Sequence, residues 1–412
     1  MTEPPPSPEE GDPPARSMWR VLFDPVYGPF FLGKLLATFG MWINNVVAAI
    51  VAFQMTHSAL MVGVISIVQF VPQTLLAPLS GALADRGDRR RQLIVGRIIS
   101  ASGSIVLGVW ILVVGVEGLP GIAPVLGATL VVGIGYTIGH PAMHSLVPAL
   151  VRPQELATAI ALSSMPFTVA RAVGPAIGAL VASTAGPGYA FLMAAAGNLA
   201  FALLLIPLKV GGRDPSRRKA DATVRAGFAY LGRHVDLMLL LMGVVAISFG
   251  ADPVLTLTPA IAAEFGAGSS GVGVMVSSFG VGAALALFMI RRLQRRLGIG
   301  QAATLGLLLM GVGNVGVAAS GTLVIAAASF AVAGVGMSVA LPSLSTQLQQ
   351  RVSDEFRGRV MALWIVAFQG TRPLAALMSG GLADATSTQV SLCSMATVVA
   401  MVAWLCRPAR TG

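Results

Sequence analysis

The sequence predicts an all-α membrane protein with 12 transmembrane helices in two six-helix bundles. Three observations support this prediction. Apolar residues make up 55% of the 412 residues and charged residues only 11%, whereas soluble domains contain about 25% charged residues. Apolar runs long enough to cross a bilayer, which takes roughly 20 residues, recur along the whole chain. Lys and Arg are concentrated in every second connection between these runs, as expected for a chain that crosses the membrane repeatedly.

Twelve apolar runs, separated by polar or Gly- and Pro-rich segments, are the predicted spans. The first six are expected at 28–53, 59–84, 93–116, 122–147, 157–183 and 189–208, and the last six at 236–260, 271–290, 300–320, 323–345, 360–383 and 388–406. The domain prediction follows from them: a disordered cytoplasmic tail at 1–25, a first bundle at 26–208, a linker at 209–235, a second bundle at 236–407 and a cytoplasmic tail at 408–412.

Composition and motifs also exclude several classes of protein. The Pro-rich, acidic start of the chain lacks the basic-then-apolar layout of a signal peptide. The only two cysteines, Cys393 and Cys406, offer neither a disulfide framework nor a Cys-rich metal site. No P-loop motif for nucleotide hydrolysis is present. We attribute the net charge of +10 to orientation in the membrane and not to nucleic-acid binding.

The basic residues predict that both termini lie in the cytoplasm of a plasma-membrane protein. With that orientation every outer loop lacks Lys and Arg, and within the spans only Lys34, Arg171 and Arg372 remain. The basic residues of the cytoplasmic segments are Arg16, Arg20, Arg86, Arg89, Arg90, Arg91, Arg97, Arg152, those of 209–233, Arg291, Arg292, Arg295, Arg296, Arg351, Arg357, Arg359, Arg407 and Arg410. Short cytoplasmic loops are the usual place for such residues.

The linker at 209–235 has an apolar stripe, because Val224, Phe228 and Leu231 recur at helical spacing with arginines on other faces. This pattern indicates either an amphipathic helix on the anionic inner leaflet or a solvated linker helix.

A second pattern is an internal repeat: LSGALAD at 79–85 and MSGGLAD at 378–384 share S-G-x-L-A-D. Each closes the second helix of a three-helix unit, as in nested inverted repeats; chance similarity is the alternative.

The segment GALADRGDRRR at 81–91 resembles the loop motif of the major facilitator superfamily, with Asp88 at a glycine position. Gly174, Pro175 and Gly178 in span five resemble the Gly-Pro motif of its proton-coupled antiporters, with Ala179 in place of the last glycine. VPALV at 147–151, ARAVGP at 170–175 and RGRVM at 357–361 are similar to the enterobactin-exporter and macrolide-efflux branch. The resemblance covers nearly all of the chain after residue 25 and implies the 6+6 fold.

The loop motif suggests a cytoplasmic gate formed by Gly81, Asp85, Arg86 and Arg89. Ion pairs between bundles that form in one state and break in another are a known basis of alternating access. We expect Asp85, Arg86 and Arg89 to hold the inner side closed against the start of span eleven. The alternative is that the arginines only orient the chain.

Ionisable residues at membrane depth are candidates for function, because burying them costs roughly 2.5–3.5 kcal/mol each. Asp252 in span seven is the only carboxylate well inside a predicted span, and the resemblance implies that spans one, four, seven and ten line the cavity. We predict Asp252 as the proton carrier; a structural ion pair is the alternative. Arg171 and Arg372 occupy equivalent places in spans five and eleven. Each is expected to pair with Asp252, bind an anionic substrate group or bond to carbonyls near Pro175 and Pro373.

Four polar residues are predicted to contact a substrate: Asn44, Asn45, Gln73 and Gln369. His140 and His144 stand four residues apart, a spacing that can bind metal, but no acidic or Cys partner is evident. We therefore interpret them as packing or cavity groups and predict no metal and no cofactor.

The function implied is export of small amphipathic molecules, drug-like or siderophore-like, by proton antiport and alternating access, with a role in multidrug resistance. The partners are a small-molecule substrate, protons and the lipid bilayer, and the expected state is a monomer. The alternatives are proton-coupled uptake, which the Gly-Pro motif disfavours, and a non-transporting receptor or scaffold, which large soluble loops would favour. A membrane-embedded enzyme would need converging catalytic groups, which the sequence does not show.

Overall fold

The computed structural model describes residues 16–208 and 234–406. Every regular element in these ranges is a helix. The helices are α1 (Met18–Leu22), α2 (Tyr27–Thr56), α3 (Ala59–Arg86), α4 (Arg89–Val114), α5 (Ala123–Leu146), α6 (Leu156–Thr184), α7 (Pro187–Leu205), α8 (Val235–Ala251), α9 (Pro253–Thr256), α10 (Thr258–Glu264), α11 (Gly268–Leu297), α12 (Ile299–Ala318), α13 (Leu323–Arg351), α14 (Asp354–Ile365), α15 (Arg372–Ala385) and α16 (Thr388–Leu405). Short 3₁₀ turns at Val147–Ala149 and Pro153–Glu155 join α5 to α6.

The part of the chain that the structure describes contains ten helices long and apolar enough to cross a membrane. They account for ten of the twelve predicted spans. The second predicted span corresponds to α3, whose apolar stretch Ala59–Gln73 is shorter. The eleventh predicted span, 360–383, is interrupted, so no single uniform helix represents it. The prediction of an all-helical membrane protein is confirmed.

The helices α2 to α7 pack mainly on one another, and α8 to α16 do the same. Two helix pairs form the largest contacts between the groups: α6 packs on α11, and α3 packs on α15. Small residues allow this close approach. A methyl group added to Gly280 on α11 would lie 2.5 Å from Cα of Ala172 on α6, and one added to Gly63 on α3 would lie 2.5 Å from the carbonyl oxygen of Ala376 on α15.

Two predicted spans are irregular in the structure. The seventh consists of α8, α9 and α10, with breaks in the helical hydrogen-bond pattern at Asp252 and Leu257, although both residues keep dihedral angles of the α region. Pro253 and Pro259 follow these breaks because proline lacks the N–H that a helix interior needs. The eleventh contains a π-helical turn at Val366–Gly370 before α15. Such turns often occur at functional sites in helices.

The predicted disordered tail extends to residue 25, but the structure has helix α1 inside this stretch. Arg16 anchors it by two ion pairs: Nη1 lies 2.6 Å from Asp24 Oδ2 and Nη2 lies 2.9 Å from Glu155 Oε2. The Glu155 side chain is buried, so this contact fixes the first of the described residues against the start of α6. The predicted amphipathic linker helix around Val224, Phe228 and Leu231 lies outside the described residues.

Asp88, which replaces a glycine of the loop motif, is the N-cap of α4. Its carboxylate accepts hydrogen bonds from the backbone N–H groups of Arg90 at 2.9 Å and Arg91 at 3.2 Å. These N–H groups have no partner within the helix, so the side chain satisfies them. Asp88 therefore defines the beginning of α4.

This capping role predicts that Asp88→Ala weakens the first turn of α4 by about 1 kcal/mol, whereas Asp88→Gly weakens it by only a few tenths. Amide hydrogen exchange in the first turn of α4 should accelerate roughly fivefold in Asp88→Ala and much less in Asp88→Gly. Unchanged exchange in Asp88→Ala would show that the cap does not stabilise this turn.

Candidate functional site

A cavity of about 550 Å³ lies between the two groups of helices. Its wall is formed by α2, α3, α4, α5, α6 and α9, the break at Asp252, the π-helical turn and the start of α15. The polar lining residues are Lys34, Thr38, Asn45, Ser66, Gln69, Arg97, Tyr136, His140, His144, Ser163, Ser164, Thr168, Asp252, Gln369 and Arg372. The aromatic remainder includes Trp42, Phe70, Phe167 and Phe368. Apolar walls with a few convergent polar groups are typical of small-molecule sites.

The two groups of helices meet closely at the end where α3 begins and α15 ends, which we call the closed end. The Asp384 carboxylate at the end of α15 accepts hydrogen bonds from Ser58 Oγ, from the Ala59 N–H at 2.8 Å and from the Leu60 N–H at 3.1 Å. Asp384 therefore caps the N-terminus of a helix in the other group. A methyl group added to Gly380 would lie 2.5 Å from the Ala59 carbonyl oxygen, so this position requires glycine.

At the opposite end are the connections that carry most of the described arginines, and we call it the arginine-rich end. Lys34, His144 and Ser163 line the cavity on this side. No lining residue belongs to the closed-end contacts around Asp384 in the described part of the chain. The cavity thus extends toward the arginine-rich end.

Asp252 lies in the cavity wall at the break between α8 and α9, with 5% of its surface exposed. Ser379 Oγ on α15 donates a hydrogen bond to its Oδ2. Arg372, the first residue of α15, lines the same cavity and attracts Asp252 electrostatically. Its guanidinium lies 5.4 Å from the Phe70 ring centre. The structure thus places Asp252 and Arg372 in one site.

Arg171 lies elsewhere. Its guanidinium packs over the Phe279 ring at 4.7 Å and the Trp42 ring at 5.6 Å, and Nη2 lies 3.1 Å from Met337 Sδ. It does not line the cavity, and among the described salt bridges none joins it to Asp252. The predicted set of Asp252, Arg171 and Arg372 is therefore brought together only in part.

Of the four residues predicted to contact a substrate, the structure places two in the cavity wall. Asn45 and Gln369 line the cavity, whereas Asn44 and Gln73 do not. Asn44 is buried and accepts a hydrogen bond from Ser104 Oγ on α4 at 3.0 Å. Asn45 accepts one from Gln69 Nε2 at 2.8 Å, so Gln69 is a further lining residue that fixes the orientation of the Asn45 amide.

Arg97 is the main residue that sequence reasoning misplaced. It is counted there among the cytoplasmic arginines, but in the structure it is 4% exposed and lines the cavity. The reason is the start of α4 at Arg89: eight residues of helix carry Arg97 about 12 Å along the axis. Its Nη1 donates to Asn198 Oδ1 at 3.3 Å, and the guanidinium lies 5.7 Å from the Phe201 ring centre.

His140 and His144 lie side by side in the wall, with ring centres 4.7 Å apart, and His140 lies 5.1 Å from the Tyr136 ring. Within the described residues no group of three or more His, Cys, Asp or Glu side chains is placed to hold a metal ion. The pair contributes polarity and aromatic surface to the cavity.

The Gly-Pro motif lies at the junction of α6 with α2 and α11. A methyl group added to Gly174 would lie 2.9 Å from Trp42 Cβ, and one added to Gly178 would lie 3.1 Å from Ile43 Cα. The Pro175 carbonyl oxygen would lie 3.3 Å from a methyl group on Gly273 of α11. The motif therefore allows α6 to pack closely against helices of both groups.

The predicted gate lies at the arginine-rich end. No atom of the described residues lies within 4 Å of a methyl group added to Gly81. Arg89 Nη1 lies 3.4 Å from the Ser145 carbonyl oxygen, to which it donates. The side chains of Asp85 and Arg86 lie outside what the structure describes, so the pairing predicted for them stays a prediction.

The profile of a family described as transmembrane secretion effector matches residues 16–410. The staphyloferrin A transporter of Staphylococcus aureus (strain NCTC 8325 / PS 47) is 24% identical over 358 residues, covering 86% of this chain and 89% of that protein. The enterobactin exporter EntS of Escherichia coli (strain UTI89 / UPEC) is 26% identical over 372 residues, covering 87% and 85%.

Two solved structures illustrate the similarity of fold. A bacterial homologue of the human lysosomal transporter Spinster, in an inward-facing and unoccupied conformation, superposes with a TM-score of 0.69 at 17% identity, covering 94% of each chain. The nucleoside transporter NupG superposes with a TM-score of 0.74 at 13% identity, covering 93% of this chain and 99% of that one.

Proposed function

Because this chain belongs to the transmembrane secretion effector family of the major facilitator superfamily, we propose that it exports small amphipathic molecules by proton antiport. It is a multi-pass membrane protein of the transporter type. The observation that carries the proposal is the central cavity, which contains a buried carboxylate, Asp252, beside the interruption of the helical hydrogen bonds at Pro253 and is bounded by close contacts at the end near Asp384.

The proposed topology has twelve spans in two six-helix groups, with both termini and the linker 209–235 in the cytoplasm. The packing of α2 to α7 and of α8 to α16 as separate groups supports this arrangement. The arginine-rich end then faces the cytoplasm, because short cytoplasmic loops carry Lys and Arg. In this orientation the cavity extends toward the cytoplasm, from which an exporter collects its substrate.

Alternating access is supported by the internal repeat. Asp384, the last residue of MSGGLAD, caps α3 across the closed end. Asp85, the last residue of LSGALAD, ends the same motif at the arginine-rich end. We assign Asp85 the corresponding task in the outward-open state, where it would cap the start of α14 with Arg86 and Arg89 beside it. Each state would then be closed by the aspartate of one repeat.

Proton coupling is assigned to Asp252 and Arg372. The negative carboxylate of Asp252 attracts Arg372 and accepts a hydrogen bond from Ser379. Binding of a proton to Asp252 removes this negative charge. Since Ser379 and Arg372 lie on α15, which packs on α3 at the closed end, the charge state of Asp252 acts on that contact. One pH unit supplies about 1.4 kcal/mol per proton, which is enough for roughly tenfold accumulation at one proton per substrate.

Export is favoured over uptake by the resemblance of Gly174, Pro175 and Gly178 to the antiporter motif and by the relatives that export a siderophore. Drug-like and siderophore-like amphipaths are the proposed substrates. Proton-coupled uptake is the second candidate. A receptor or scaffold without transport is the third, and substrate binding without flux would favour it.

Accumulation in inverted membrane vesicles tests this proposal. Vesicles with an acidified lumen should concentrate a fluorescent amphipath, either the cation rhodamine 6G or the anion dansyl-taurine, and nigericin with potassium should abolish the accumulation. Vesicles without the protein provide the baseline. If neither probe accumulates above baseline, the proposed function is wrong for both kinds of amphipath.

A further inference from the structure

Cations outnumber carboxylates in the cavity wall. Lys34, Arg97 and Arg372 line it, while Asp252 is the only carboxylate among the described lining residues. Asp252 already accepts from Ser379 and attracts Arg372. Lys34 and Arg97 are therefore left without a negative partner in the described wall, and they form a separate cationic part of the cavity.

Arg97 has hydrogen-bonding capacity that the described protein does not use. Its Nε and Nη2 atoms are buried and have no hydrogen-bond partner, and its Nη1 meets only the neutral amide of Asn198. A methyl group placed on Gly139 would lie 3.5 Å from Nη2, so α5 packs closely beside this unpartnered edge. A buried guanidinium without an acceptor is unfavourable, and a planar oxyanion matches its two parallel N–H groups.

Lys34 on α2 is a second buried cation of the cavity wall. It is 6% exposed, and its ammonium donates to Ser163 Oγ at 3.2 Å. No described salt bridge involves Lys34 or Arg97, although the two cations are close enough to repel each other. A single negative group between them would replace this repulsion with attraction to both.

The remainder of the wall suits an apolar body. Trp42 and Phe167 meet edge to face, with ring centres 5.8 Å apart, and Phe70 lies farther along the cavity. The Trp42 Nε1–H is buried without an acceptor among the described residues. Aromatic walls next to a cationic site recognise a molecule with an anionic end and an apolar end.

We infer that the cavity binds amphipathic anions, with a carboxylate, sulfonate or phenolate oxygen group held between Arg97 and Lys34 and the apolar body against the Trp42 wall. This inference rests on the proposed function and names its substrate class. It assigns Arg97 and Lys34 to substrate recognition, separately from the proton site at Asp252 and Arg372.

A matched pair of probes tests it. Dansyl-taurine carries a sulfonate where dansyl-ethanolamine carries a hydroxyl group, and the two are otherwise alike. The full-length protein is placed in nanodiscs of zwitterionic lipid, and binding is followed by energy transfer from tryptophan to the dansyl group. Wild-type protein should bind dansyl-taurine at least tenfold more tightly than dansyl-ethanolamine.

Arg97→Gln and Lys34→Gln should each reduce that preference roughly tenfold, and Arg97→Lys should retain part of it because the charge is kept. Arg292→Gln, which removes an exposed positive charge outside the cavity, should leave the preference unchanged. Dansyl-ethanolamine binding by each variant confirms that it is folded.

Equal affinity of wild type for both probes, or a preference that Arg97→Gln and Lys34→Gln leave intact, would overturn the inference. The proposed function fails separately. Gradient-driven accumulation of rhodamine 6G without any preference for dansyl-taurine leaves the exporter in place and removes the anion site. Selective dansyl-taurine binding without flux of either probe supports the anion site and contradicts the exporter.

Discussion

Asp252→Asn is expected to abolish accumulation driven by a pH gradient, lowering it at least tenfold in inverted vesicles, while substrate exchange without a gradient continues. Asparagine keeps the shape of aspartate and an oxygen that can accept from Ser379, but it cannot bind and release a proton. Loss of coupling with retained exchange would separate a proton carrier from a residue that only holds the fold.

Glu117→Gln is the matched control, because it also neutralises a carboxylate, one that is exposed and outside the cavity. Its accumulation should equal that of wild type. If Asp252→Asn accumulates substrate as wild type does, the proton site lies elsewhere. If Asp252→Asn also loses exchange, the residue is needed for the transport cycle itself and its assignment as a proton carrier is not supported.

Asp384→Asn and Asp85→Asn are expected to shift the access equilibrium in opposite directions. Asp384 accepts three hydrogen bonds that close one end, so its neutralisation should favour the outward-open state. Asp85→Asn should favour the inward-open state, because the proposed contact of Asp85 exists only when the arginine-rich end is closed. Hydrogen bonds to charged groups contribute about 1.5–3 kcal/mol when buried; at the exposed Asp384 we expect about 1 kcal/mol, a roughly fivefold change in the ratio of states.

Labelling of a cysteine in the cavity measures this shift. Cys393 and Cys406 are first replaced by serine, and Ser66, which lines the cavity, is changed to cysteine. The rate of modification by a membrane-impermeant thiol reagent from the outer side should rise about fivefold in Asp384→Asn and fall in Asp85→Asn. Glu117→Gln should not change it. A change in the same direction in both aspartate variants would contradict the assignment of one aspartate to each end.

Local sequence patterns predict most of the helices here. The apolar runs mark the spans because a bilayer requires about 20 apolar residues whatever the tertiary packing. The resemblance to the enterobactin-exporter branch is confirmed by the relatives. The breaks around Asp252 and at Val366–Gly370 were not predicted, although Pro253 and Pro373 lie beside them, because prolines inside α5, α6 and α13 leave those helices continuous.

The cavity depends on packing that a single sequence does not contain. Asn44 and Asn45 are adjacent, yet about 100° apart around a helix, and only the position of α4 decides that Asn45 faces the cavity. In the sequence Arg97 cannot be distinguished from the arginines at the start of α4. It differs from them only in its position farther along the helix axis, inside the membrane. The contact of Asp384 with Ser58 joins residues 326 positions apart, and no local pattern indicates such a pair.

We propose that substrate and protons move in opposite directions, and proton movement in proteoliposomes tests this antiport most directly. Liposomes containing the purified protein and the pH indicator pyranine are given an inward gradient of dansyl-taurine, which does not titrate near neutral pH, with no initial pH gradient. Antiport predicts that the lumen becomes alkaline as substrate enters, and that Asp252→Asn abolishes this change. Acidification of the lumen would mean symport, and substrate entry at constant pH would mean uncoupled flux; either result would contradict the account.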